Sequence, residues 1–334
     1  MVLSNGWFTF SRRRVQLILL RLCMVLLSGF TIFQLKGLQS MLYIGKNNLF
    51  WNNTEHILDD VLEKGGSNVT PFNTFLINDA FLEDPKKVFE ASDNIQLLLV
   101  VKSHLLNYGK RDAIRKTWGH VRKLRVKTVF VVGYLQNMTT VGYFESKLYK
   151  DIIILNVEDI YKNIVYKSIY SVICLSKLNI TAEFVHLVDD DRLVNALNVY
   201  DVAKESIAQS DVAMLGYMFH STKPFRRVTS KNFMSWEEYP FVYFPPYIIG
   251  GTILTNMKTI QVLAEAVKYV RIIQIEDVFI GIVAKAFRIN MQHHSGFLPY
   301  KKPVNQLGNI LSCPGYDIPY TLLRDWEILK KISK

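Results

Sequence analysis

The chain has 334 residues, of which 49% are hydrophobic and 21% are charged, so it contains enough apolar material to bury a large domain. Its formal net charge of +11 is spread along the sequence, and no basic run is interleaved with aromatic residues. This distribution argues against a nucleic-acid partner, and no segment matches the glycine-rich loops of dinucleotide or Walker-type sites.

The N-terminal region predicts a membrane anchor. Three arginines, Arg12 to Arg14, precede a mostly apolar stretch from Val15 to Phe33, and about 19 residues are enough to cross a bilayer. The basic flank predicts a cytoplasmic tail over residues 1–14, a transmembrane signal anchor over 15–35 and a lumenal remainder. A cleaved signal peptide is the alternative, but no small-x-small cleavage site is visible.

Several features beyond the anchor bear on a lumenal location. Four N-glycosylation sequons support it, beginning at Asn52, Asn68, Asn137 and Asn179. Two cysteines, Cys174 and Cys313, follow the anchor, and they form either one disulfide in an oxidising compartment or two free thiols. Residues 36–93 show no steady hydrophobic period and are predicted to be a stem and a lead-in.

From residue 94 onward, strands and helices alternate. This alternation predicts an α/β fold with a mostly parallel central sheet and flanking helices. The predicted strands cover residues 95–101, 126–132, 151–155, 184–188, 211–216 and 248–255, and the predicted helices cover 110–118, 139–149, 159–178, 192–208, 256–270 and 274–286. Gly250 and Gly251 break the last strand, either as a β-bulge or as a place where a ligand or another backbone approaches closely.

The strand over 184–188 runs directly into Asp189, Asp190 and Asp191. Ligands of α/β sheets bind at the carboxyl ends of the strands. In an extended segment Asp189 and Asp191 point to the same side, where two carboxylates hold a hard divalent cation that in turn holds phosphates. The alternative is that the aspartates cap the next helix and face water.

Glu276 and Asp277 begin another predicted helix. Acidic residues at a helix start complement the helix dipole, which is the simpler interpretation of the pair. The functional interpretation is a general base at the mouth of the site.

Five segments together resemble one family. They are an R-x-x-I-R-x-T-W-G block at 111–119, the segment 149–153 with 159–167, the aspartates at 189–191 with Val194 and Asn195, the block YFPPYIIGG at 243–251 and the block EDVFIG at 276–281. In order and spacing they resemble the β-1,3-galactosyltransferase-like glycosyltransferases of family 31, which include β-1,3-N-acetylglucosaminyltransferases. The resemblance implies a GT-A type lumenal domain over residues 94–334 and a single-pass type II protein of the Golgi membrane.

The resemblance also implies an activity. It is inverting transfer of a hexose or N-acetylhexosamine from a UDP-sugar to a glycan acceptor on a glycoprotein or glycolipid, in β-1,3 linkage. A manganese ion on Asp191, with Asp189 or Asp190, would neutralise the departing diphosphate.

The same resemblance assigns further roles. Asp277 would take the proton of the acceptor hydroxyl, with Glu276 as its neighbour. Arg111 and Arg115 would contact the nucleotide or its phosphates, or else pack around Trp118.

The sequence departs from the family pattern near its C-terminus and around the aspartates. No histidine occurs after His294, so the usual C-terminal metal ligand is missing, and Cys313 is a nearby substitute whose thiolate is softer than manganese prefers. His293 and His294 are interpreted as ordinary loop residues. Arg192 follows the aspartates where the family prefers a hydrophobic residue, and Leu187 replaces a lysine.

These departures keep two alternatives open. One is a catalytically weak or inactive relative that binds glycans or stabilises a partner. The other is a metal-dependent phosphohydrolase that uses the same aspartates.

Overall fold

The computed structural model describes residues 71, 73–75, 79–90, 94–178 and 180–332. The predicted anchor at 15–35, the sequons at 52, 68 and 179, and most of the predicted stem lie outside these residues. Within the described part of the chain, no helix is both long enough and apolar enough to cross a membrane.

The described residues fall into two units. One is the short segment 235–241, in which Tyr239 N donates to Ser235 O at 3.1 Å. The other unit contains all of the helices and strands given below.

The strands are short to medium in length, and the longer ones follow the predicted apolar runs. They are β1 (Ile95–Lys102), β2 (Val126–Tyr134), β3 (Ile152–Glu158), β4 (Ala182–Asp189), β5 (Leu193–Val194), β6 (Ala213–Gly216), β7 (Met218–Phe219), β8 (Tyr247–Ile248), β9 (Thr252–Thr255), β10 (Asn290–His293) and β11 (Ser312–Cys313). The helices are α1 (Tyr108–Lys116), α2 (Thr139–Tyr149), α3 (Ile164–Lys177), α4 (Ala196–Ser206), α5 (Met257–Ala266), α6 (Glu276–Ala286) and α7 (Pro319–Ile332).

Seven strands form the central sheet in the order β10-β6-β9-β4-β1-β2-β3. The strands β4, β1, β2 and β3 run parallel, and β10 is parallel to β6, whereas β9 is antiparallel to both β4 and β6. The expectation of a mostly parallel sheet is therefore confirmed. Because β9 runs the other way, it begins at the edge where β1 and β4 end.

Helices cover both faces of the sheet. Successive side chains of a strand point to opposite faces. Leu97, Leu99 and Val101 of β1 join a buried cluster that includes Trp118 beyond the end of α1, Val199 of α4 and Leu322 of α7. On the other face, α3 packs against α5 and α6 and contacts β1, β2 and β3. Burial on both faces explains why β1 and β4 are almost continuously apolar.

Two sequence expectations need correction or completion here. The predicted helix over 192–208 begins only at Ala196, because Leu193 and Val194 pair antiparallel with Ser312 and Cys313 as the short ladder β5–β11. Part of the predicted lead-in belongs to the sheet unit, since Leu82 N donates to Ile154 O at 2.9 Å beside β3.

The two cysteines that follow the predicted anchor are buried free thiols in the structure. Of the two alternatives left open for Cys174 and Cys313, the structure therefore has the free thiols.

Candidate active site

The carboxyl ends of β1 and β4 bring opposite charges together. Lys102 is the last residue of β1, and its register partner on β4 is Asp189. Lys102 Nζ lies 3.1 Å from Asp189 Oδ1 and 2.5 Å from Glu276 Oε1, and it also donates to Gly250 O at 3.1 Å. One buried lysine thus joins the end of β4, the turn before β9 and the start of α6.

The charges around Lys102 set its protonation state. Burial alone would lower the pKa of Lys102, but the Asp189 and Glu276 carboxylates raise it above its ordinary value. The ammonium group therefore stays charged and holds both carboxylates in place.

Asp190 is fixed by donors from the loop after β1 and from α1. Its Oδ2 atom accepts from Ser103 Oγ at 2.7 Å and from Asn107 Nδ2 at 2.9 Å, and its Oδ1 atom lies 3.3 Å from Lys110 Nζ. These contacts make Asp190 a structural member of the cluster.

Asp191 differs from its neighbours. Within the described residues, its carboxylate has no hydrogen-bond donor and no ion-pair partner, while its backbone oxygen accepts from Tyr316 N at 2.8 Å. Burial, reinforced by the Asp189 charge, raises the pKa of Asp191 to about 6. A half-buried carboxylate without a direct ion-pair partner is suited to receive a cation, and the nearby Arg192 charge only partly opposes the rise in its pKa.

The turn at Gly250 and Gly251 lets the acidic groups approach the backbone. A Cβ atom on Gly250 would lie 2.6 Å from Glu276 Oε2, and one on Gly251 would lie 2.9 Å from Asp189 Oδ2. Real Cβ atoms do not come this close, so any larger residue would displace a carboxylate. Two alternatives were left open for this pair, a β-bulge and the close approach of a ligand or another backbone. In the structure the pair forms the turn between β8 and β9, and the groups that approach it most closely are side chains of the site itself.

Glu276 and Asp277 stand at the first turn of α6 but have different surroundings. Glu276 Oε1 accepts from Lys102 Nζ and from Ser168 Oγ. Asp277 has no lysine partner among the described residues, and its Oδ1 atom accepts from Val278 N at 2.9 Å. Burial raises the pKa of both carboxyls, partly offset by Lys102 at Glu276 and by the Val278 amide at Asp277.

Two adjoining cavities open onto this cluster. The aspartate cavity has a volume of about 400 Å³ and is lined by Lys102, Ser103, Lys110, Lys167 and the three aspartates, among others. The Asp277 cavity, of about 210 Å³, is lined by Asp277, Glu276, Gly250, Gly251 and Lys231, among others. Tyr161, Ile164 and Asp189 line both cavities, so the two cavities adjoin.

The lining of the aspartate cavity is rich in carboxylate oxygens, but within the described residues no group of three or more His, Cys, Asp or Glu side chains is placed to hold a metal ion. Three lysines and five aspartates line it, which leaves a surplus of two negative charges. Lys102, Lys110 and Lys167 pair with Asp189, Asp190 and Asp159; of the two remaining aspartates, Asp317 shares Lys110 and Asp191 has no lysine partner within the described residues. Oxygen-only ligands are the type that hard divalent cations prefer. Asp189 and Asp191 are the residues that would hold such an ion.

The two arginines predicted to contact the nucleotide lie elsewhere. Arg111 is fully buried, and all of its five N–H groups donate within the protein: to Glu145, to Ser103 Oγ, and to the backbone oxygens of His104 and Leu105. With no free donor and no access to the cavity, Arg111 supports the site through Ser103. The expectation of a direct phosphate contact by Arg111 is corrected for this reason.

Arg115 is likewise engaged in packing. Its Nε and Nη2 atoms lie 2.7 and 2.8 Å from the Asp151 carboxylate, and its guanidinium carbon lies 3.8 Å from the centre of the Tyr149 ring. Arg115 does not line either cavity. The structure therefore does not bring it to the candidate site.

Two lysines of the site were missed in the sequence. Lys102 ends an apolar strand next to the strand that ends in aspartates, and this pairing of opposite charges at neighbouring strand ends was the available signal. Lys167 lies on α3, where its Nζ atom donates to Ser103 O at 2.8 Å and pairs with Asp159 at 2.5 Å. Its place at the end of the second family block, 159–167, was the available signal.

The other residues considered as metal ligands do not reach the cavities. His293 Nδ1 accepts from Met218 N at 3.1 Å, and His294 packs beside Phe297, so both are ordinary structural histidines. Cys313 is fully buried, and burial raises the pKa of its thiol. None of the three lines the aspartate cavity.

Comparison with known proteins gives a consistent result. The family model described as galactosyltransferase matches residues 109–295. The β-1,3-galactosyltransferase bre-5 of Caenorhabditis elegans is 30% identical over 233 residues, which cover 68% of this chain and 72% of the relative. The β-1,3-galactosyltransferase brn of Drosophila melanogaster is 29% identical, covering 70% and 74%.

A mouse relative carries a different donor in its name. UDP-GlcNAc:betaGal β-1,3-N-acetylglucosaminyltransferase 7 is 26% identical, covering 65% of this chain and 56% of the relative. The family match spans more than half of the sequence and includes the aspartates and the start of α6. The chain therefore belongs to the galactosyltransferase family, glycosyltransferase family 31, and its relatives indicate a β-1,3-glycosyltransferase.

Proposed function

We propose that this protein is an inverting glycosyltransferase with a GT-A type domain. It moves a hexose or N-acetylhexosamine from a UDP-sugar to a glycan acceptor on a glycoprotein or glycolipid. The observation that carries the proposal is the pair of adjoining cavities that share Asp189, one lined by the aspartate cluster and the other by Asp277. The first suits the diphosphate of a nucleotide sugar and the second suits an acceptor hydroxyl.

Asp277 is the proposed general base. Its carboxylate is held by the Val278 amide and has no lysine partner in the described structure, so it can take the acceptor proton as the hydroxyl attacks the sugar carbon. Glu276 is the positioning partner, because Lys102 and Ser168 already occupy its Oε1 atom. The raised pKa of Asp277 makes it a stronger base than an ordinary aspartate.

Asp189 and Asp191 would hold a divalent cation, proposed to be manganese. When bound there, it would supply positive charge to the diphosphate leaving group. Lys102 holds Asp189 in position, and Ser103, Asn107 and Lys110 hold Asp190, so the end of β4 is fixed before any ligand arrives. Such pre-organisation lowers the cost of ordering the site on binding.

The proposed location is the Golgi membrane, with the catalytic domain in the lumen and a single type II span. The support comes from the three arginines before the apolar stretch at 15–35 and from the sequons that follow it. Protease protection of an epitope placed after residue 334 in sealed Golgi vesicles tests this topology. Digestion of that epitope in intact vesicles would contradict the lumenal placement.

The proposal is tested by separating binding from transfer. In Asp277→Asn, UDP binding measured by calorimetry should be retained, while transfer from a panel of UDP-sugars should fall by about 10²- to 10⁴-fold, the usual contribution of a general base. Asp191→Asn should lose the manganese-dependent part of UDP binding. A matched control is Asp201→Asn, which removes an exposed carboxylate that lies 3.3 Å from Lys204 and lines neither cavity.

Other outcomes would identify the alternatives. Full activity of Asp277→Asn would rule out the assigned base. Absence of UDP binding by the folded wild-type protein, with or without manganese, would favour the non-catalytic relative. Release of phosphate from a UDP-sugar without transfer would favour the phosphohydrolase.

A further inference from the structure

Arg192 is a buried charge directly behind the aspartate cluster. It is 3% exposed and lies between the end of β4 and the short strand β5. Its Nη1 atom donates to Leu298 O at 3.2 Å and to Ser312 Oγ at 3.3 Å. Its Nε atom is buried and has no hydrogen-bond partner within the described part of the chain.

The unpartnered Nε atom faces the carboxylates across the gap left by Gly251. A Cβ atom on Gly251 would lie 2.8 Å from Arg192 Nε and 2.9 Å from Asp189 Oδ2. The two atoms are therefore within about 6 Å of each other, a range over which opposite charges stabilise one another. A buried N–H group without a partner is unfavourable, so its persistence here points to a role in the site.

The position of Arg192 matters because of the charge balance of the aspartate cavity. The groups that line it carry a surplus of two negative charges, and Arg192 does not line the cavity. Its guanidinium Nε atom lies within about 6 Å of Asp189 Oδ2 and adds one positive charge behind the cavity, so the local surplus falls from two negative charges to one. The remaining negative charge attracts a metal cation less strongly and repels an anionic diphosphate less strongly.

We propose that Arg192 is a fixed internal cation of the donor site, a positioning residue that partly replaces the charge of a bound metal. This inference rests on the proposed function, since it assumes that a nucleoside diphosphate binds in the aspartate cavity. It has a distinctive consequence. Removal of the charge should strengthen binding of a free divalent cation and weaken binding of UDP in the absence of metal.

The experiment uses the full chain, purified with detergent present, and two calorimetric titrations. The first titrates Mn²⁺ into protein without nucleotide, and the second titrates UDP into protein with EDTA. Arg192→Met removes the charge and keeps most of the side-chain volume. We expect it to bind Mn²⁺ at least about tenfold more tightly and UDP at least about tenfold more weakly than the wild type, because a unit charge at this range acts through a partly buried medium.

Three further variants separate charge from structure. Arg192→Lys keeps the charge and should stay within about threefold of the wild type in both titrations, a margin that corresponds to less than one unit charge at this distance. Arg192→Gln is a second neutral variant that can still donate to Leu298 O. Lys258→Met removes an exposed charge paired with Asp211 at 2.8 Å and should change neither affinity.

A purely structural role predicts a different pattern. If Arg192→Met and Arg192→Gln lose affinity for Mn²⁺ and UDP together, or change neither, the inference is overturned. Failure of both neutral variants to fold, judged by circular dichroism, would likewise assign Arg192 to the fold alone.

The failure of the inference can be told apart from the failure of the proposed function. If the wild type binds no UDP in either metal condition, the proposed function fails, while the Mn²⁺ titrations still test the effect of the Arg192 charge. If the wild type binds UDP and the neutral variants behave like it in both titrations, only the inference fails.

Discussion

Glu145→Gln should destabilise the protein more than the corresponding substitution of an exposed carboxylate by its amide. Glu145 lies on α2 and accepts from Arg111 Nε and Nη2, at distances between 2.6 and 3.2 Å, and its Oε1 atom lies 2.8 Å from Arg115 Nη2. The substitution keeps the shape of the side chain and removes its charge. Arg111 then has no carboxylate partner, and Arg115 retains only Asp151.

The magnitude follows from burial. The side chains of Arg111 and Glu145 are 0% and 3% exposed, so water cannot compensate for the lost charge. Removing one partner of a buried ion pair costs about 3–5 kcal/mol. For a domain of this size, each kcal/mol lowers the melting temperature by roughly 2–4 °C, which gives an expected drop of about 6–20 °C.

The assay is thermal and urea unfolding followed by circular dichroism at pH 7. Asp112→Asn is the matched control, since Asp112 pairs with Lys116 at 2.6 Å on the surface of α1, where Lys116 is 61% exposed. That change should cost no more than about 0.5 kcal/mol. If the unfolding free energy of Glu145→Gln stays within about 1 kcal/mol of the wild-type value, the buried ion pair contributes much less to stability than expected.

Three other predictions concern packing, pH and modification. Gly281→Ala should cost about 1–3 kcal/mol despite the better helix propensity of alanine, because its Cβ atom would lie 2.4 Å from Tyr247 Cβ; Gly142→Ala, which meets only the tip of Leu105, should cost less in the same melts. His186 is buried, and burial together with the Arg192 charge lowers its pKa to about 3. As the pH falls below about 6.5, this histidine therefore takes up a proton in the unfolded chain but not in the folded chain. Unfolding free energy should thus fall by about 2 kcal/mol more between pH 6.5 and 5 in the wild type than in His186→Gln, and equal slopes would contradict this. Asn137→Gln should raise gel mobility if the exposed sequon before α2 carries a glycan, and unchanged mobility, before and after enzymatic deglycosylation, would show that it does not.

The parallel half of the fold could be predicted from the sequence because it is buried on both faces. β1 and β2 begin at the predicted residues, and their ends differ by one or two residues, since a strand covered by helices is an unbroken apolar run. The short pairings were not predictable in this way. β10 is a polar edge strand, NMQH, and β5 is two residues long, so both depend on partners far away in the chain.

The acidic residues of the site could be predicted because they are adjacent to one another in the sequence. The residues that strand pairing brings to them could not be predicted in this way. The aspartates and the Glu276–Asp277 pair stand out as acidic residues at the ends of apolar segments. The cations that organise them, Lys102 and Arg192, come from a strand end and from a position that a family pattern gives to a hydrophobic residue. Arg111 was assigned to phosphate because arginine suits phosphate, but three-dimensional placement gives it a buried carboxylate instead.

Lys102 contacts both Asp189 and Glu276, so a change of charge in one cavity also affects the carboxylates of the other. Any event that adds charge at Asp189 changes how firmly Lys102 holds Glu276, and therefore how the start of α6 presents Asp277. Binding of a ligand in the aspartate cavity and the placement of Asp277 are thus linked through one hydrogen-bonded unit, and substitutions at Lys102 and Glu276 are expected to be non-additive.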